Sequence, residues 1–188
     1  MKKLLMHVCC APCLVAPYYK LKDDFEITAF WYNPNIHPTL EYIYRRDCTR
    51  EFIKAENINY IEINEYGLLE FLEKTLSTLS ERCAYCYYKR LEVTAMTAKQ
   101  NGYDYFSTTL LYSKYQKHQM IVEIANEIAA EYDIPFFYQD LRELWKEGIK
   151  LSKEKHMYRQ QYCGCIFSEM ERYNILHIIS YKTLDKKW

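Results

Sequence analysis

A doubly wound α/β domain, built on a parallel sheet of about five strands with an added C-terminal helical segment, is the fold this sequence predicts. Three observations carry that expectation. Short β-branched and aromatic runs alternate with stretches of helical apolar spacing along the chain. At 188 residues the chain suits one domain with one sizeable core. Apolar residues make up 49% of it, enough to fill that core and to exclude general disorder. Strands that alternate with helices imply right-handed crossovers and a sheet covered on both faces. No repeat, low-complexity run or linker divides the chain, so residues 1–188 read as one domain.

Taken in order, residues 3–9 (KLLMHVC) read as a short buried strand. Pro12 marks a turn, and a helix follows from about Cys13 to Lys22; Pro17 is compatible with it only in the first turns. FEITAFWY (25–32) is a second strand. NPNIHP (33–38) is a loop, because each proline restricts its predecessor to extended conformations. Thr39 is placed to cap a long helix reaching about Glu56. NYIEIN (59–64) gives a third strand, followed by helical GLLEFLEKTLSTL. Ala84–Gln100 is helical, with Leu91, Ala95 and Ala98 on one face and Gly102 as its stop. DYFSTTL (104–110) is a fourth strand, Lys114 to Tyr132 a helix, and IPFFYQD (134–140) a fifth strand. The remainder is mostly helical apart from a loop around Tyr162–Cys165.

In such sheets ligands gather at the carboxyl ends of the strands, where the strand order reverses. The first cysteine cluster, Thr108–Thr109 and Asp140 all end strands in this reading and could face one crevice.

Lysine plus arginine and aspartate plus glutamate both number 25, so the chain is not globally basic and a polyanionic partner must meet a local patch. The opening MKKLLMHVCC mimics a lipoprotein leader. Its apolar run is shorter than a signal core of roughly 7–15 residues, and His7 interrupts it. No later stretch approaches a membrane span, so a cytoplasmic protein is expected. The 20 tyrosines read first as an aromatic core and half-buried surface, and second as stacking groups for nucleobases.

Seven of the eight cysteines are clustered, at 9, 10 and 13, at 83 and 86, and at 163 and 165. In a reducing compartment that pattern points to metal ligation or thiol chemistry rather than disulfides. Cys10-Ala-Pro-Cys13 alone matches a thioredoxin-type pair opening a helix, where the N-terminus favours thiolates. Cys9 beside it, and the two further clusters, argue for metal. Zinc and iron–sulfur are the physical candidates, and spacing does not separate them. Seven ligands exceed the four of one site, so four and three is the natural partition. The under-ligated site has room for substrate or a carboxylate such as Asp140. Cys9 and Cys10, adjacent on extended chain, are expected to point to different centres. Cys48 reads as a core or half-exposed thiol, and His7 as a hydrogen-bonded core residue. His37, His118, His156 and His177 carry no signal by spacing.

Together HVCCAPC, WYNPNIHPTLEY, RCAYCYYKRL, FSTTLLYSKYQKH and YRQQYCGCIFS, in this order over most of the chain, resemble the epoxyqueuosine reductases of the QueH type. The resemblance implies a HUP-like (Rossmann-type) fold, a 4Fe–4S cluster with an adjacent mononuclear iron, and the last step of queuosine synthesis in tRNA. Cys9, Cys10 and Cys13 match its first motif, Cys83 and Cys86 the second, Cys163 and Cys165 the third. Lys114 stands where the pattern has a proline, and QDLREL (139–144) matches an Asp-aromatic-Arg-Lys pattern only loosely.

The implied reaction removes an epoxide oxygen with two electrons and two protons. No G-x-G-x-x-G announces an organic cofactor, and there are only four glycines. The expectation is therefore an open iron acting as Lewis acid, a cluster feeding electrons, and an external donor of ferredoxin or flavodoxin type. Tyr112, Asp140 and Tyr158 are the candidate proton donors. For tRNA, residues 142–159 carry Arg142, Lys146, Lys150, Lys153, Lys155 and Arg159 against three glutamates, with Lys89, Arg90, Lys114 and Lys117 as further phosphate contacts. The competing readings are a zinc-stabilised RNA-binding module and a thiol–disulfide oxidoreductase using Cys10 and Cys13.

Overall fold

The computed structural model describes residues 1–173. The strands are β1 (Lys2–His7), β2 (Phe25–Trp31), β3 (Asn59–Glu62) and β4 (Tyr105–Thr108). The helices are α1 (Ala11–Leu21), α2 (Thr39–Ala55), α3 (Leu68–Thr75), α4 (Arg82–Gln100), α5 (His118–Glu131), α6 (Trp145–Glu154) and α7 (Ile166–Tyr173). The four strands form one sheet in the order β3-β2-β1-β4, every pair parallel.

Side chains alternate across β1 and build a core on each face of the sheet. Leu4, Met6 and Val8 pack with Ala11, Leu14 and Val15 of α1 and Phe52 and Ile53 of α2. Leu5, with Phe30 and Phe106, packs with Leu91, Ala95 and Ala98 of α4 and Ile121, Ala125 and Ile128 of α5. This is the doubly wound arrangement. The chain runs outward from β1 through β2 to β3, then returns to place β4 on the other side of β1, so the switch point lies between the ends of β1 and β4.

Among the described residues the sheet has four strands rather than five. Residues 134–137 lie beside β4, joined by Phe106 N–H to Pro135 O at 3.1 Å, Phe137 N–H to Phe106 O at 2.9 Å and one bridge between Phe106 and Phe136. Pro135 has no N–H to extend the ladder. Thr39 is the first residue of α2 and Pro38 precedes it as the cap, with no side-chain capping bond. Pro17 sits in the interior of α1, not its first turns. Its missing N–H leaves the Cys13 carbonyl without the usual helical partner. α5 begins at His118, because residues 114–117 form a turn over the site described below. His177 and the later part of the expected C-terminal helical segment lie outside the described residues.

Candidate metal centre at the switch point

β1 ends at His7, and the chain turns through Val8–Cys10 into α1, of which Cys10 is the N-cap. This turn delivers Cys9, Cys10 and Cys13 to the switch point. Their sulfurs all lie within 4.8 Å of one another, and Cys9 and Cys10 Sγ are 3.9 Å apart. The two adjacent cysteines therefore share one site instead of facing different centres, because strand alternation has already ended at residue 7. All three are buried. Cys9 N–H donates to Thr109 Oγ1 at 3.1 Å, and that hydroxyl lies 3.4 Å from Cys9 Sγ, tying the triad to the end of β4. His7 is fully buried between Thr108 Oγ1 at 2.9 Å and Tyr32 O at 3.2 Å, a core residue as expected.

Hydrogen bonds from the Cys10 and Cys13 thiols hold Cys9 well below the usual thiol range. Burial pushes Cys10 up, and hydrogen bonding to Cys10 and Cys9 pushes Cys13 up. A bound metal would displace those remaining protons. Gln160 reaches the same sulfurs, donating from Nε2 to Cys10 Sγ at 3.0 Å, with Cys13 Sγ at 3.6 Å.

The other four clustered cysteines form a second, looser set. Cys83 and Cys86 lie one turn apart at the start of α4, and Cys163 and Cys165 flank Gly164 in the loop before α7. Cys86 and Cys165 pack with Phe71. Burial pushes the Cys86 thiol up to about 12, and charge on Cys163, Cys165 and Cys83 adds to the shift. Among the described residues only the triad brings three or more ligating side chains within 4.8 Å. Two thiolates on one ion are at most about 4.6 Å apart, given a metal–sulfur bond of ~2.3 Å. The set of four is therefore not drawn together, as it stands, around one ion.

The C-G-C loop is braced by buried groups. Gly164 has φ +151°, a conformation that favours glycine, and a Cβ there would meet Arg45 Nη1 at 3.3 Å. Arg45 donates to Cys163 O at 2.8 Å and Tyr162 O at 3.0 Å while paired with Glu41 at 2.6 Å. His37 N–H donates to Gly164 O at 2.8 Å, and Tyr162 OH to His37 O at 2.7 Å. Gln116 Nε2 donates to Cys163 Sγ at 3.1 Å.

Between the two sets stands Arg90. It is 3% exposed and donates from Nη2 to Cys86 Sγ at 3.0 Å. No carboxylate among the described residues pairs with it; the ionisable groups it faces are the thiols of Cys86, Cys163 and Cys9. Burial removes it from the expected phosphate contacts. Lys89 is paired with Glu70 at 2.9 Å.

The remaining predicted residues spread around this centre. Tyr112 is buried beside the triad. Burial raises its hydroxyl pKa, with charge on Cys13, Cys10 and Cys9 adding to it. Tyr158 donates to Glu41, and Asp140 pairs with Arg142 at 2.5 Å. The Arg142 bond holds the Asp140 carboxyl down at about 2, so it is ionised and accepts rather than donates. Of the basic run, Arg142, Lys150 and Lys155 have carboxylate partners, while Lys146, Lys153 and Arg159 are exposed. Cys48 is buried on α2, away from both sets. Sequence reading missed Arg45, Gln116 and Gln160; only Gln160, in YRQQYCGCIFS shortly before Cys163, stood close to cysteines, which was the one available signal.

Thiol–disulfide exchange needs an accessible attacking sulfur, and Cys10 and Cys13 are 1% and 5% exposed. No helix of the described residues is long and apolar enough to cross a membrane.

A family profile described as "Epoxyqueuosine reductase QueH" matches residues 4–171. Curated relatives carry the same description. One from Dehalococcoides mccartyi is 38% identical, over 91% of this chain and 94% of its own length. One from Thermotoga maritima is 38% identical, over 92% and 93%. One from Staphylococcus aureus is 30% identical, over 98% and 81%.

Proposed function

Because the chain belongs to the epoxyqueuosine reductase QueH family, we propose that this oxidoreductase reduces the epoxide of epoxyqueuosine in tRNA to the alkene of queuosine. Two electrons and two protons are consumed. Both C–O bonds of the epoxide break, a carbon–carbon double bond forms, and the oxygen leaves as water. The observation that carries a metal-based reduction is the division of seven cysteines into a tight triad and an open set of four around one buried cation.

The donors fit such a group. They are soft sulfurs, five of the seven buried, and Arg90 has no carboxylate partner among the described residues, so anionic sulfur would balance it. Cys83, Cys86, Cys163 and Cys165 would hold a 4Fe–4S cluster, and Cys9, Cys10 and Cys13 the adjacent iron. When bound, these groups supply single electrons and Lewis acidity toward the epoxide oxygen.

The chain's own residues do the rest. Gln160 and Thr109 hold the triad sulfurs in place through their hydrogen bonds. Tyr112 belongs to the same buried cluster as the triad and its hydroxyl donates only to a neutral carbonyl, Trp145 O at 3.2 Å, which makes it the best placed of the three proton-donor candidates. Tyr158 is engaged with Glu41, and Asp140 is ionised. Electrons come from an external ferredoxin or flavodoxin type donor. Exposed Lys114, Lys117, Lys146, Lys153 and Arg159 supply charge for the RNA phosphates. Eight unpaired cysteines suit a reducing, cytoplasmic setting.

The test is anaerobic purification with iron and sulfide analysis, followed by turnover of epoxyqueuosine-containing tRNA by wild type and by the Cys83→Ala, Cys86→Ala double variant. A brown, active wild type and an inactive variant are expected. A colourless protein with stoichiometric zinc, or full activity in a metal-free variant, overturns the reading.

A further inference from the structure

We propose that Tyr115 and Trp145 form a stacking platform for an unpaired nucleobase of the RNA at the rim of the cysteine triad. The inference rests on the tRNA reading above and adds the place where a base is held.

Tyr115 is 83% exposed, an unusual amount for a large aromatic side chain. Its ring stands edge-on to Trp145, with centroids 5.5 Å apart and planes at 77°. Trp145 in turn lies over buried Tyr112, at 5.3 Å and 31°. The Tyr112 hydroxyl donates to Trp145 O at 3.2 Å, and its ring belongs to the same buried cluster as the triad cysteines. Three rings thus run in contact from solvent to the buried cluster that holds the triad.

The outermost ring is held at its backbone. Tyr115 N–H donates to Ser113 Oγ at 3.3 Å. The next residue, Gln116, accepts from Tyr87 OH at 2.6 Å and donates to Cys163 Sγ. An exposed ring on a fixed backbone binds with less ordering cost than one on a loose loop.

Charge identifies the occupant. Lys114 and Lys117 flank Tyr115, Lys146 follows Trp145, all three are exposed, and none has a carboxylate partner among the described residues. A ring ladder bordered by unpaired ammonium groups suits a base with its phosphates. Every base has a stackable face, so the platform needs no sequence readout.

The test compares wild type, Tyr115→Phe and Tyr115→Ala in binding to a short RNA hairpin with an unpaired loop and to a fully paired duplex, together with kcat and KM on the full tRNA. Stacking is worth roughly 1–3 kcal/mol per base. Tyr115→Ala should therefore weaken hairpin binding about 5- to 150-fold and raise KM more than it lowers kcat. It should leave duplex binding unchanged, and Tyr115→Phe should behave as wild type. Equal losses on hairpin and duplex, or none on either, overturn the platform while leaving the reductase reading intact. A Tyr115→Ala defect seen with a protein electron donor but not with dithionite assigns the surface to that donor and also overturns it. A wild type that neither binds nor reduces the tRNA removes the premise and the inference together.

Discussion

Replacing Arg90 by methionine removes a charge without emptying its space. In the structure the guanidinium is buried, donates to Cys86 Sγ and O at 3.0 Å each, and lies over the Tyr87 ring at 5.8 Å. The ionisable groups that face it are thiols. A charge-assisted hydrogen bond of this kind is worth about 1.5–3 kcal/mol. In the metal-free protein the cation faces mostly protonated thiols, so the variant should be as stable as wild type or more so. With iron loaded the sign reverses, because the sulfurs are then anionic. The reduced centre carries one more negative charge than the oxidised one and loses more from the substitution. A difference of about 1.4 kcal/mol lowers a one-electron midpoint by ~59 mV. The assay is a potentiometric titration followed by EPR, with iron and sulfide counted in each variant and Arg90→Lys as the charge-retaining control. The expected result is a lower midpoint in Arg90→Met and most of the shift restored in Arg90→Lys. An Arg90→Met protein that loads iron normally, with a midpoint indistinguishable from wild type, refutes the charge-balance argument.

Gly148 and His37 give two further tests. A Cβ at Gly148 would overlap the Tyr112 hydroxyl. Gly148→Ala should displace that ring and lower turnover by up to about 100-fold with iron content unchanged; equal turnover would free Tyr112 of a role in the chemistry. His37 is buried and neutral, with Nε2 donating to Pro34 O at 3.1 Å, and burial lowers its pKa to about 4. The unfolded chain takes up this proton near pH 6.5 and the folded chain only near 4, so stability falls as pH drops through that window, by at most ~3 kcal/mol. The slope of the urea midpoints across the window should fall in His37→Gln without vanishing, because His7, lowered to about 3, loses stability over the same range and below it. An unchanged slope would mean that His37 stays neutral at no cost to stability.

What the sequence made legible was local. The 2- and 3.6-residue periodicities of KLLMHVC, FEITAFW and the α4 segment placed both faces of the sheet, and hence the switch point at which Cys9 and Thr109 meet. The cysteine spacings announced the sites themselves. What stayed hidden depends on partners far along the chain. Arg90 read as a surface cation because lysine and arginine usually are; only packing of α4 against the triad shows it buried. Gln160 lies 150 positions from Cys10, a distance no spacing rule spans. The fifth strand failed because one proline removed a ladder donor from an otherwise apolar run. Adjacent Cys9 and Cys10 defied alternation because the strand ends two residues before them.

The central claim is that the triad and the set of four work as one reducing centre on RNA. It is tested most directly by incubating anaerobically reconstituted protein, a reductant and epoxyqueuosine-containing tRNA, then digesting the RNA and weighing the nucleoside. Wild type should yield a product lighter by one oxygen atom. Cys9→Ala, which leaves the set of four intact, should keep its cluster spectrum and yield none. Formation of queuosine by Cys9→Ala at the wild-type rate, or an unaltered nucleoside from fully iron-loaded wild type, would contradict the account.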